Sequence, residues 1–175
     1  MWNGAGEGTV HSRVVAPCPH GLAASFSPAV NVRAIGFNGL KARGAAAVDA
    51  VAALLDDPSP YMRGRAIFLL HQLGPEGRQR AGSPESHRDP ALRIAAYRAM
   101  RRAGLDVMPV ALRLARDADP GVRREVALSM RDQSDPRAVD VLADIARGFD
   151  GKDRSYLEAL GTGATGKEPP LYDRL

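Results

Sequence analysis

"SPYMRGRAIFLLHQLG" at residues 59–74, "DPALRIAAYRAMRRAG" at 89–104 and "DPGVRREVALSMRDQS" at 119–134 can be laid over one another position for position. Each opens on Ser or Asp followed by Pro, and each carries an arginine at its fifth position. Working outward, Arg33, Arg63, Arg93 and Arg123 follow one another at intervals of 30 residues, preceded by Val32, Met62, Leu92 and Val122. Seven residues after each arginine stand Leu40, Leu70, Met100 and Met130, and Ala66, Ala96 and Val126 fall on the turn between. Apolar residues at this spacing define one face of a helix. Self-similarity at constant period marks a repeat architecture.

Ser59, Asp89 and Asp119 can each accept a hydrogen bond from the orphan N–H groups of a helix start, and Pro60, Pro90 and Pro120 occupy the first helical position. A second apolar stretch precedes the first and the third of these helices and another follows the third: "AAAVDAVAALLDD" at 45–57, "VMPVALRLARD" at 107–117 and "RAVDVLADIARG" at 137–148. Each unit therefore reads as a helical hairpin. Neither helix buries its apolar stripe alone, so the units are predicted to stack as a right-handed, all-α solenoid of about four to five hairpins. The expected organisation is a non-repeat segment over 1–24, rich in Gly and small residues and suited to partial disorder, a repeat domain over 25–161 and a flexible tail over 162–175.

Composition agrees with this. Of 175 residues, 45% are hydrophobic, 5% aromatic and 25% charged, a profile suited to closely packed helices. Lys and Arg total 24 against 20 acids, for a net charge of +4. That surplus is mild, so its distribution decides what it means. The single cysteine, Cys18, excludes an internal disulfide and a thiolate metal cluster. No apolar run approaches the ~20 residues of a membrane span, and the opening residues lack a signal-peptide pattern, so a cytoplasmic protein is the default expectation.

The unit "DDPSPYMRGRAIFLLHQLG" resembles HEAT repeats of the short kind. In that family the arginine near the start of the second helix pairs with an aspartate in the preceding turn. Asp57 and Asp117 stand six residues before Arg63 and Arg123, whereas Ser27 and His87 hold the equivalent places before Arg33 and Arg93. The resemblance thus implies carboxylate pairing on two rungs and leaves it in doubt on the others. Over residues 25–175, "NVRAIGFNGLKARG", "VRREVALSMRD" and "GKDRSYLEALGTGATGKE" are similar to the HEAT-repeat segment of large bacterial haem-binding membrane-bound dehydrogenases. That resemblance implies an exported context, and a scaffold detached from catalytic and cytochrome c regions. C-x-x-C-H cannot occur with one cysteine, so no haem or other cofactor is expected.

"GTGATGKE" at 161–168 contains G-x-G-x-x-G and most of G-x-x-x-x-G-K-[ST]. A phosphate cradle needs a strand before it and a helix after it. Here "DRSYLEAL" reads as a helix ending at Gly161, Glu168 replaces the metal-binding hydroxyl, and no helix is expected before Pro170 has passed. Cys18 and His20 could supply two metal ligands, but His11, His71 and His87 follow no ligand spacing. No catalytic constellation is evident.

The positions eight after each arginine, Lys41, His71, Arg101 and Arg131, are predicted to form a basic column on the solvent side of the second helices. Asn38, Phe68, Arg98 and Leu128 form a neighbouring column, with Arg65, Arg102 and Arg124 close by, and Glu125 and Asp132 interrupting. The HEAT resemblance implies that second helices line the concave face. Lys41, Arg65, Phe68, His71, Arg98, Arg101, Arg124 and Arg131 are thus the candidate partner-binding residues. The expected function is a non-enzymatic scaffold for a protein or peptide with an acidic surface, with charge reversal at Arg101 and Arg131 expected to abolish capture. The alternative is a nucleic-acid-binding or DNA-glycosylase-like HEAT protein, or a bilin-lyase-like enzyme. The only tryptophan, Trp2, lies outside the repeats. The stretch "GPEGRQRAGSPESHR" at 74–88 lacks large aliphatic residues, so its helix is expected to be short or absent. The uncovered flank would then be a candidate surface for a weak homodimer.

Overall fold

The computed structural model describes residues 19–25 and 27–175. The readings made on His11, Cys18 and Trp2, on most of the 1–24 segment, and on His20 as a ligand lie outside what it describes. Among the described residues there is no strand, and eleven α-helices follow one another. They are α1 Pro19–Ser25, α2 Val30–Arg43, α3 Val48–Ala52, α4 Pro60–Leu70, α5 Pro75–Ala81, α6 Pro90–Arg102, α7 Met108–Leu114, α8 Pro120–Ser129, α9 Arg137–Arg147, α10 Arg154–Gly163 and α11 Glu168–Tyr172. Paired in order, α1 to α10 form five hairpins, and the molecule is an all-α solenoid of HEAT-like hairpins. The predicted 45–57 helix is realised as α3 flanked by two 3₁₀ turns, Gly44–Ala47 and Ala53–Asp56.

The second helices begin where the sequence predicts, by chemistry that differs in one case. Asp89 accepts from the N–H of Ala91, and Asp119 from those of Gly121 and Val122. Ser59 makes no such bond; the chain is turned there by the Asp57 carboxylate, which accepts from the Ser59 N–H at 2.8 Å. Asp153 caps α10 in the same way as Asp119 caps α8.

The stripe read from the 30-residue ruler is the buried one: Leu40, Met62, Leu70, Ala66, Ala96, Val122, Val126 and Met130 are all in the core. Val32 is exposed at the first hairpin, and Leu92 and Met100 are half-buried. The core comes in consecutive pieces. Leu40, Val48, Val51, Leu69, Leu70 and Leu73 pack together at the N-terminal end, Ile67 joins Ala96 and Ala99 in the middle, and a larger group built on Tyr97, Leu114, Val126, Met130, Leu142 and Ile145 fills the C-terminal half. This is the nearest-neighbour packing of a solenoid.

The weak hairpin has its first helix, and it is short, as expected. α5 is seven residues long, and Gly77 permits it to press on α4, because a Cβ there would meet the Leu70 carbonyl and, at 2.9 Å, the Leu73 Cβ. Ala81 and Pro84 are buried against neighbouring helices. The flank that was expected to lie bare is therefore covered, and no exposed large apolar residue comes from 74–88.

The C-terminal stretch also differs from the sequence reading. α10 does not stop at Gly161 but runs to Gly163, and a further helix starts at Glu168 with Pro169 and Pro170 in its first turn. Prolines are tolerated there because those N–H groups have no intrahelical partner. Leu171 on this helix is buried.

Candidate functional site

The ladder of arginines is the device that sets one hairpin against the next. In every rung the same guanidinium nitrogen donates to two backbone carbonyls, six and five residues back. Arg33 Nη1 reaches Ser27 O and Pro28 O at 2.8 and 2.6 Å, and Arg63 Nη1 reaches Asp57 O and Pro58 O at 2.8 and 3.1 Å. Arg93 Nη1 reaches His87 O and Arg88 O at 3.0 Å each, and Arg123 Nη1 reaches Asp117 O and Ala118 O at 2.5 and 3.1 Å. The acceptors are main-chain atoms, so the side chain six residues back does not matter. Ser27 and His87 therefore serve as well as the two aspartates, and the expected carboxylate pairing within one hairpin does not occur.

The second guanidinium nitrogen faces forward. Arg93 Nη2 donates to the Asp117 carboxylate of the next hairpin at 2.8 Å, and Arg63 Nη2 lies 3.9 Å from Asp89. Arg123 makes no ion pair with an aspartate ahead of it among the described residues, and donates instead to Gly148 O and to the Tyr156 hydroxyl, which itself donates to Ile145 O. On the opposite side, Arg80–Asp49, Arg113–Glu85 and Arg116–Asp144 also bridge adjacent hairpins. Most of the arginine surplus thus serves as internal stitching.

The column predicted to be basic throughout is broken by His71. It is 3% exposed, its Nδ1 lies 2.9 Å from Ile67 O, and burial, helped by the nearby Arg78 charge, pushes it below the usual histidine range. Held neutral at pH 7, His71 contributes neither charge nor surface to a partner. Burial likewise lowers His87, with the nearby Arg93 charge adding to the effect.

The remaining cations divide between the two ends of the second-helix face. Towards the C-terminus they are neutralised. Arg98 binds Glu125 at 2.5 Å, Arg101 lies 3.7 Å from the same carboxylate, and Arg124 reaches Asp153 at 3.3 Å. Arg131 is exposed, with Lys167 Nζ donating to its carbonyl. The depression between α6, α8 and α10, about 470 Å³, accordingly mixes Arg98 and Arg124 with Glu125 and Glu158.

Towards the N-terminus the arrangement is different. Two open depressions, about 420 and 790 Å³, lie between α2 and α4 and between α4 and α6, and share Phe37, Arg65, Gln72 and Arg102 in their walls. Leu54, Leu69, Phe68, Tyr61 and Leu92 supply apolar surface. Among the described residues neither is lined by a carboxylate, whereas Arg33, Lys41, Arg65 and Arg102 all contribute. Arg65 is held by Ser25 O at 2.8 Å, a contact that orients its charge without cancelling it. The position two after the ladder arginine is therefore Arg65 in the α4 hairpin and Glu125 in the α8 hairpin, and the local charge inverts between them.

Of the predicted residues, the structure brings Lys41, Arg65 and Phe68 to this N-terminal groove and Arg98 and Arg124 to the C-terminal one; Arg101 pairs with Glu125, Arg131 lines neither groove, and His71 is withdrawn. Phe37 and Tyr61 were missed. Phe37 falls four after Arg33, where the equivalents Ile67, Tyr97 and Ala127 are completely buried, so the position reads as core. In the first hairpin it is half-buried and shows its ring to the groove.

"GTGATGKE" has a structural explanation. Gly161 and Gly163 lie inside α10, and a Cβ at Gly163 would strike the Ala127 carbonyl of α8. Lys167 donates to Arg131 O at 3.1 Å. The glycine permits close helix approach, and the lysine ties the chain back.

Among the described residues no group of side chains could hold a metal ion, and no helix is long and apolar enough to cross a membrane. Residues 84–161 match the family of HEAT repeats, in agreement with the solenoid of hairpins described above. No curated protein matches it.

Proposed function

We propose that this protein is a non-enzymatic interaction scaffold that receives an acidic protein surface in the groove formed by α2, α4 and α6. One observation carries the reading: on a face where Arg98, Arg101 and Arg124 are paired with carboxylates, this groove combines an apolar floor with four basic residues and no acid among its described walls. HEAT-type solenoids use such extended faces for binding. The resemblance of residues 25–175 to the repeat segment of haem-binding dehydrogenases supports a scaffold role of the same kind, without redox chemistry of its own.

Capture from native extract tests the reading. Lys41→Glu/Arg102→Glu should lose about nine-tenths or more of the captured partner, since like charge across an interface suppresses binding strongly. Arg101→Gln/Arg131→Glu should retain it; glutamine at 101 avoids setting a second carboxylate beside Glu125. Equal loss in both variants would refute the groove. If the partner were nucleic acid, duplex DNA would shift in a gel and the shift would weaken steeply with salt; little or no shift is expected.

A further inference from the structure

The two N-terminal depressions adjoin at Phe37, Arg65, Gln72 and Arg102, which line both, and side by side they make a trough across three successive second helices. Neighbouring helices at ordinary packing distance set its length at about 20 Å. Both are open along their length, which suits an elongated ligand better than an enclosed small molecule. The floor offers two aromatic rings, Phe37 and Phe68, with Tyr61 standing 78% exposed at the edge. The cations stand along its margins: Lys41 and Arg102 make no ion pair among the described residues, and Arg65 is fixed by a backbone carbonyl.

We infer that this trough takes an amphipathic helix of acidic character from a partner protein. Its apolar face would fill the two depressions, and carboxylates flanking that face would meet Lys41, Arg65 and Arg102. A helix of about 14 residues spans about 20 Å, and anchors at i, i+3 or i+4, and i+7 recur at the spacing needed to enter both depressions. The complementarity is specific to this end of the molecule, because in the equivalent C-terminal groove Glu125 and Glu158 offset Arg98 and Arg124 and leave no surplus of positive charge for the same ligand. This rests on the scaffold reading above and narrows it to one chemistry of partner.

The test uses capped, dye-labelled peptides of about 14 residues and the whole protein, read by fluorescence anisotropy. One peptide has leucine at the anchor positions and glutamate with glutamine elsewhere; a second has lysine for glutamate; a third keeps the glutamates and replaces leucine with serine. The first should bind, and the other two should bind at least about tenfold more weakly. Lys41→Glu/Arg102→Glu and, separately, Tyr61→Ser should each weaken the first peptide, the charge pair by about tenfold or more. Both alter exposed side chains, and an unchanged helical circular dichroism spectrum verifies the fold. Equal binding of all three peptides, or of the first peptide by wild type and both variants, overturns the inference. Absence of peptide binding while partner capture still depends on Lys41 and Arg102 overturns the amphipathic helix and leaves the broader reading standing; capture that ignores both residues removes the broader reading itself.

Discussion

Arg93→Ala should cost about 3–5 kcal/mol of unfolding free energy, the usual price of leaving one half of a buried ion pair behind. Arg93 and Asp117 have side chains only 13% and 9% exposed, and the guanidinium simultaneously satisfies the carbonyls of His87 and Arg88. Removing it strands a carboxylate and two acceptors between the third and fourth hairpins. Arg93→Lys should recover only part of the loss, because one ammonium cannot hold both carbonyls and the carboxylate in the geometry of the planar fork. Arg33→Ala should cost about 1 kcal/mol, since that rung serves two carbonyls and faces no carboxylate among the described residues. Urea unfolding followed by circular dichroism measures all three. Near-equal effects of Arg33→Ala and Arg93→Ala would show that the forward carboxylate contributes nothing.

Gly163→Ala is the second large effect, at about 1–3 kcal/mol of destabilisation. The added methyl would meet the Ala127 carbonyl and, at 3.0 Å, Leu142 Cδ2, so α10 would have to move away from α8 and α9. Two residues earlier, a Cβ on Gly161 would meet nothing within 4 Å, and Gly161→Ala should be neutral or stabilise by about 0.5 kcal/mol through helix propensity. The contrast separates packing from phosphate binding. A phosphate loop would be indifferent to the Ala127 contact, and thermal unfolding in which Gly161→Ala is the more damaging change would contradict the assignment.

The parts of the fold that repeat were legible because each was specified several times. Asp-Pro or Ser-Pro starts, the arginine and the apolar positions around it coincide at 30-residue intervals, and one dominant physical cause, a helix with a single apolar stripe, explains them. Where the period breaks, legibility ended. α11 was missed because Pro169 and Pro170 read as breakers, although at a helix start they remove no bond. α5 lacks aliphatic residues because its packing surface is Gly77 and Ala81, small residues that permit contact without announcing it. The ladder was misassigned in a related way: the true acceptors are carbonyls, which every residue carries and no side-chain pattern reveals.

The candidate site was legible in its ingredients and not in its arrangement. Helical spacing placed Lys41, Arg98, Arg101 and Arg131 on the outward side of their helices, but it could not show which of these charges a neighbouring helix had already answered. His71 falls on the same column and is buried, because the short α5 hairpin folds over that end of α4. The same blindness hid Phe37. Its equivalents are sealed by flanking helices on both sides, and only the three-dimensional stack shows that the first hairpin leaves the ring half uncovered.

Charge is segregated along one face: Lys41, Arg65 and Arg102 are available to a partner, whereas Arg98, Arg101 and Arg124 are already engaged by Glu125 and Asp153. Hydrogen-exchange mass spectrometry on the protein with and without its captured partner tests this most directly. Slowed exchange concentrated in 30–43, 60–72 and the start and end of 90–102, with no change across 120–131 and 154–163, is the predicted result. Protection centred on 120–131 and 154–163 would contradict it.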